Sequence, residues 1–157
     1  MNTSQSINTR IVGGEDAPDP IPWQVHVDRG CGGTILDETT ILSAAHCFNP
    51  FRGAYYIEAG HKVRGSLDSQ KIYVKETIIH PMYNEMIPHK YDNDVAILKL
   101  KSSLTFNENV QPACLPQPSF MPENTQELAV TSGWGYTSQG NGLAFYALIV
   151  ISDAKLG

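Results

Sequence analysis

Strand-like segments recur along this chain at intervals of about ten residues, the spacing of an all-β barrel or sandwich. No other feature limits the possible folds as much. "PWQVHV", Pro22 to Val27, alternates apolar with polar residues. "GGTIL", "TILSAA", "GAYYIEAG", "QKIYVKETIIH", "DVAILKL" and "LAVTSGWGY" follow, with Gly, Pro, Asn and Asp between them. No window keeps a 3.6-residue apolar period for three helical turns. The 13 Gly and 10 Pro, against only 17% charged residues, suit short strands and tight turns.

The segment "PQPSFMPENTQ", Pro116 to Gln126, is rich in Pro and polar residues and reads as a linker between two lobes. Beyond Gly142 comes "LAFYALIVISDAKLG", an apolar run that, taken as a strand, has no successor to pair with. Its core, Leu143 to Ile151, is nine residues long, against the roughly 20 that a membrane-spanning helix needs. A net charge of −5 with no basic run argues against a nucleic-acid partner.

Three cysteines make an odd count. Cys31 and Cys47 flank two apolar stretches that a bridge could join, leaving Cys114 over; three reduced thiols are the alternative. Three further stretches carry chemistry. In "RIVGG", Arg10 to Gly14, a basic residue precedes two β-branched residues and a glycine pair. Cleavage after Arg10 would free the Ile11 amine to pair with a buried carboxylate; an ordinary turn before a strand is the plainer reading. In "LSAAHC", His46 is either a hydrogen-bonded core histidine or a general base. A base needs fixation, because proton transfer requires heavy atoms roughly 2.6–3.2 Å apart. In "YDNDVAILKL", Asp94 stands at the mouth of an apolar strand, where its carboxylate can be buried and accept an imidazole N–H. Asp92, one alternation further out, is the rival.

Together "RIVGG", "PWQV", "CGGTIL", "LSAAHC", "HPMYN", "NDVAIL", "VQPACLP" and "SGWG" resemble, in order and spacing, the trypsin/chymotrypsin family of serine endopeptidases. The resemblance covers about Arg10 to Tyr136. It implies an all-β chain with the first antiparallel six-stranded barrel of a two-barrel fold and an incomplete start of the second. Residues 1–10 become a pro-segment remnant and 11–157 a truncated peptidase domain: 11–115 the first barrel, 116–124 the linker, 125–157 the opening strands of the second. His46 becomes the general base, Asp94 its orienting carboxylate, Arg10–Ile11 the activation cleavage site and Cys31–Cys47 the bridge around the histidine loop. Tyr91 is implied to line the pocket for the substrate residue preceding the scissile bond.

The family's nucleophile lies in a GDSGGP motif beyond "SGWG", and this sequence does not contain it. Of the serines after Asp94 (Ser102, Ser103, Ser119, Ser132, Ser138 and Ser152), none has glycines on both sides. No nucleophile is therefore assigned, and the chain as given is expected to be inactive alone. The alternative is a catalytically dead homologue that acts as a protein-binding module. Cys114 commonly pairs with a pro-segment cysteine in this family, yet residues 1–10 hold none. His61 stands where calcium-binding members carry a glutamate, so no calcium is expected, and His26, His80 and His89 lack metal-like spacing and read as surface or strand histidines. No metal or other cofactor is expected. The expected partners are a polypeptide substrate or protein partner and an activating trypsin-like protease, in a secreted, extracellular setting, with no membrane association.

Overall fold

A computed structural model describes residues 15–28, 30–48, 55–83, 92–115, 128–134 and 149–155, with the backbone alone at 15–16, 128–130 and 149–155. Its strands are β1 (Glu15–Asp16), β2 (Gln24–Val27), β3 (Cys31–Asp37), β4 (Thr40–Ser43), β5 (Tyr56–Ala59), β6 (Gln70–Ile79), β7 (Ala96–Leu100), β8 (Leu128–Gly133) and β9 (Ile149–Lys155). A single 3-10 turn, Ala45–Cys47, interrupts them among the described residues.

β2 to β7 close into an antiparallel six-stranded barrel in the order β2-β3-β4-β7-β6-β5, with β5 returning to β2. Closure removes the unpaired edges that an open sheet would expose. The two-residue alternation read from the sequence sends one set of side chains inward. Val25, Val27, Ile35, Ile41, Ile57 and Leu98 are all completely buried. They form the core with Phe48, Tyr55, Val74, Leu100, Leu104 and Val110. Gly33, paired with Val25, makes room at the tightest point: a Cβ there would stand 2.7 Å from Ile41 Cγ2 and 3.0 Å from the Leu42 carbonyl oxygen. After β7 the chain runs back along the barrel, with Gln111 N–H donating to Pro22 O and Ala113 N–H to Ile35 O.

A second, three-stranded sheet has the order β1-β9-β8. Here the structure departs from the sequence reading in two ways. The apolar run at the end does find partners, because β9 pairs backwards with β8 and also with β1. Glu15–Asp16, read as part of the first barrel, thus belongs to the second sheet. This sheet meets the barrel through Ser132, whose hydroxyl donates to Gln24 Oε1 at 2.9 Å, and Trp134, whose Nε1–H donates to Lys62 O at 2.8 Å.

Candidate active site

The stretch "TILSAA" is not strand throughout: β4 ends at Ser43, and Ala45–Cys47 turns as 3-10 helix. Ala45 is buried, and its small side chain lets this turn sit against the barrel end. The Cys31–Cys47 disulfide ties the turn to the start of β3. Ser43 Oγ donates to Gly32 O at 2.8 Å, a second tie between the same segments.

Asp94 arrives from the opposite direction. β4 pairs with β7 so that Ser43 faces Ala96, which brings the residues just beyond β4 beside those just before β7. Asn93 takes a left-handed conformation (φ 58°), and Val95 N–H donates to its carbonyl at 2.7 Å. Asparagine tolerates that region better than most residues. The resulting kink delivers the Asp94 side chain to the 3-10 turn.

There the carboxylate takes hold of His46 with both oxygens. Oδ2 accepts from His46 Nδ1 at 2.6 Å and Oδ1 from the His46 backbone N–H at 2.8 Å. The imidazole is about half exposed, whereas the carboxylate is largely covered. Burial alone would raise the Asp94 pKa, but hydrogen bonds from the His46 ring, from its N–H and from the Ala45 N–H outweigh it and hold the carboxyl below its ordinary value. The contribution of Ala45 is one that sequence reading did not foresee, since a backbone donor leaves no mark in residue identity. Asp92, the rival, is exposed.

With Nδ1 turned to Asp94, the other ring nitrogen, Nε2, lies 3.7 Å from Cys47 Sγ. Cys31, His46 and Cys47 lie close enough together to suggest a metal site. Both thiols are consumed in the disulfide, so the cluster offers no thiolate. Asp94 also lines an open cleft with Gln24, Ser43, Ala44, Val95 and Ser132. Arg10, Ile11 and Tyr91 lie outside the described residues. Cys114 is an exposed free thiol.

A closed antiparallel six-stranded barrel, with almost no helix, is the first barrel of the trypsin-like serine peptidases. The family model described as Trypsin matches residues 11–154, and the chain belongs to that family. By family it is a serine-type endopeptidase acting on polypeptides. Among the described residues no helix is long and apolar enough to cross a membrane.

Proposed function

We propose that His46 is the general base, and Asp94 its orienting carboxylate, of a secreted serine-type endopeptidase activated by cleavage after Arg10. The observation that carries this reading is the double hold of Asp94 on His46, one oxygen on the ring and the other on the backbone. Such a hold fixes the ring orientation and commits Nδ1 to the carboxylate, leaving Nε2 as the ring atom that would take the proton of an attacking hydroxyl. The same carboxylate, kept ionised by its donors, stabilises the imidazolium that proton transfer creates.

The attacking hydroxyl is not among the described residues of the cleft. Two serines line the cleft with Asp94, and both donate elsewhere: Ser43 to Gly32 O and Ser132 to Gln24 Oε1. The described residues of this cleft therefore supply the acid–base half of a triad, and peptide hydrolysis needs a hydroxyl from outside them. Loss of a triad nucleophile lowers kcat by about 10⁶-fold. The test is to cleave the chain with trypsin, verify the new Ile11 amino terminus by sequencing, and add a serine-directed phosphonate. No label on the cleaved chain, residues 11–157, is expected. Stoichiometric labelling would overturn the absence of the attacking hydroxyl, and failure of trypsin to expose Ile11 would overturn the activation site.

A further inference from the structure

His26 lies on β2 between the inward-facing Val25 and Val27, so its ring points out of the barrel, yet it is only 2% exposed. The cover comes from the second sheet. The Trp134 indole meets the His26 ring edge-on at 5.8 Å between centroids, and His61 stacks against the same indole at 5.2 Å. Glu58 stands opposite His26 across the β2–β5 ladder. Its Oε2 lies 3.7 Å from His26 Nδ1 and 4.0 Å from His61 Nε2. Among the described residues no ring nitrogen of His26 makes a hydrogen bond, and those of His61 are approached for hydrogen bonding by the backbone of Glu58 and Val63 alone. Two imidazoles and a carboxylate thus share the seam between barrel and second sheet, under a tryptophan held by its bond to Lys62 O.

A buried imidazole without hydrogen-bond partners favours its neutral form. The charged and titratable groups facing His26 are Asp28 at the end of its own strand, Glu58 on β5, and His61 and Arg64 in the segment after β5. From the end of β8 and the residue after it, the described residues that line the seam are the uncharged Ser132, Gly133 and Trp134. Burial is the largest influence on His26, and Arg64 adds to it; Glu58 opposes both without cancelling them, and the pKa falls from 6.5 to about 4. His61 is lowered as well, again by burial first, with the Glu58 charge and backbone hydrogen bonds of Val63 and Glu58 opposing and Arg64 adding to the fall. A cleft of about 210 Å³, lined by His26, Arg64, Ser132 and Trp134 among others, gives solvent protons a route to the seam.

We propose that the His26–Glu58–His61 cluster beneath Trp134 is an acid-released latch, which holds β8 to the barrel while its imidazoles are neutral and lets go when they take up protons. Undocked, the rings face water and bind protons at their ordinary 6.5; docked, His26 does so only near 4. Between those values the undocked state binds more protons. Docking is therefore at full strength above about 6.5 and weakens as the pH falls toward 4. One such histidine shifts the docking equilibrium by roughly 10–30-fold between about pH 7.5 and about pH 5. Ser132 lines the same cleft as Asp94, so release would open that cleft beside His46. This last consequence rests on the function proposed above; the latch itself does not.

The test uses the full chain carrying Trp23→Phe, which leaves Trp134 as its single tryptophan. On acidification from neutral pH, Trp134 emission is expected to shift reversibly to the red with a midpoint between 4 and 6.5, while the far-UV circular dichroism holds. The further substitutions His26→Gln and His61→Gln should abolish that midpoint. Emission that stays constant down to pH 4 would overturn the latch. So would loss of the far-UV signal at the same midpoint, or an unchanged midpoint in the variant. If the variant does not fold, the imidazole resonances of the Trp23→Phe chain decide. Titration of His26 below its ordinary value, in step with Trp134, supports the latch; titration at 6.5 with Trp134 unmoved overturns it. No readout depends on catalysis, so failure here is distinct from failure of the peptidase assignment.

Discussion

Asp94 grips His46 at two points, Oδ2 on the ring Nδ1 at 2.6 Å and Oδ1 on the backbone N–H at 2.8 Å, across 48 residues of sequence. A single contact would leave the ring free to swing about its χ angles. Two contacts from one rigid carboxylate set both the backbone of the 3-10 turn and the plane of the imidazole. The disulfide from Cys47 to Cys31 and the β4–β7 ladder hold the two ends of this arrangement in place.

Asp94→Asn removes the charge from both hydrogen bonds. Bonds to an ionised acceptor contribute about 1.5–3 kcal/mol each at most sites, so urea unfolding at neutral pH should show a loss of that order. The sign with pH follows from the lowered carboxyl. Its contribution is fully present above the ordinary value of 3.8 and is lost as the pH falls through the lower folded value. The gap between wild type and variant should therefore narrow below pH 3.8 and close once the pH has passed the lower folded value. A gap that persists unchanged into strong acid would contradict this.

Removing the disulfide as Cys31→Ala/Cys47→Ala frees a loop closed over a separation of 16 residues. A loop of that size corresponds to about 3 kcal/mol. Denaturation midpoints should drop accordingly, and the His46 imidazole resonances should broaden as the 3-10 turn loses its anchor. An unchanged midpoint would show that the β4–β7 ladder suffices by itself.

The adjacent glycines of "CGG" should respond differently to alanine. Gly33→Ala drives a methyl into Ile41 and the Leu42 carbonyl, the latter being backbone that cannot step aside; overpacking of this kind costs about 1–3 kcal/mol. Gly32→Ala presses on the end of the Gln24 side chain at 3.2 Å, with Val25 O at an ordinary contact distance of 3.9 Å, and should stay within about 0.5 kcal/mol of wild type. Thermal unfolding of the two variants side by side checks the order. Equal costs would mean that the interior of the barrel is less tightly filled than Ile41 and Val25 indicate.

Much of this was legible in the residues. Alternation in "PWQVHV" and "QKIYVKETIIH" marks β2 and β6, and the apolar run after Asp94 singles it out over the exposed Asp92. The pairing of β9 with β1 was not legible, because strand partners distant in sequence are chosen by the fold, not by local pattern. His26 was read as a surface or strand histidine. It is in a strand but buried, since its cover is Trp134, far along the chain, and its own neighbours carry no trace of that. The 3-10 turn at Ala45–Cys47 was hidden for a similar reason: its small residues suit a strand equally well until Asp94 captures the His46 N–H.

The central claim, that Asp94 holds His46 through Nδ1 and so directs Nε2 to act as the base, is tested most directly by the ring nitrogen shifts of His46 near neutral pH. The account expects the Nδ1-protonated tautomer, an unprotonated Nε2, and a far-downfield Nδ1 proton that disappears in Asp94→Asn. An Nε2-protonated ring, or ring shifts indifferent to that substitution, would contradict it.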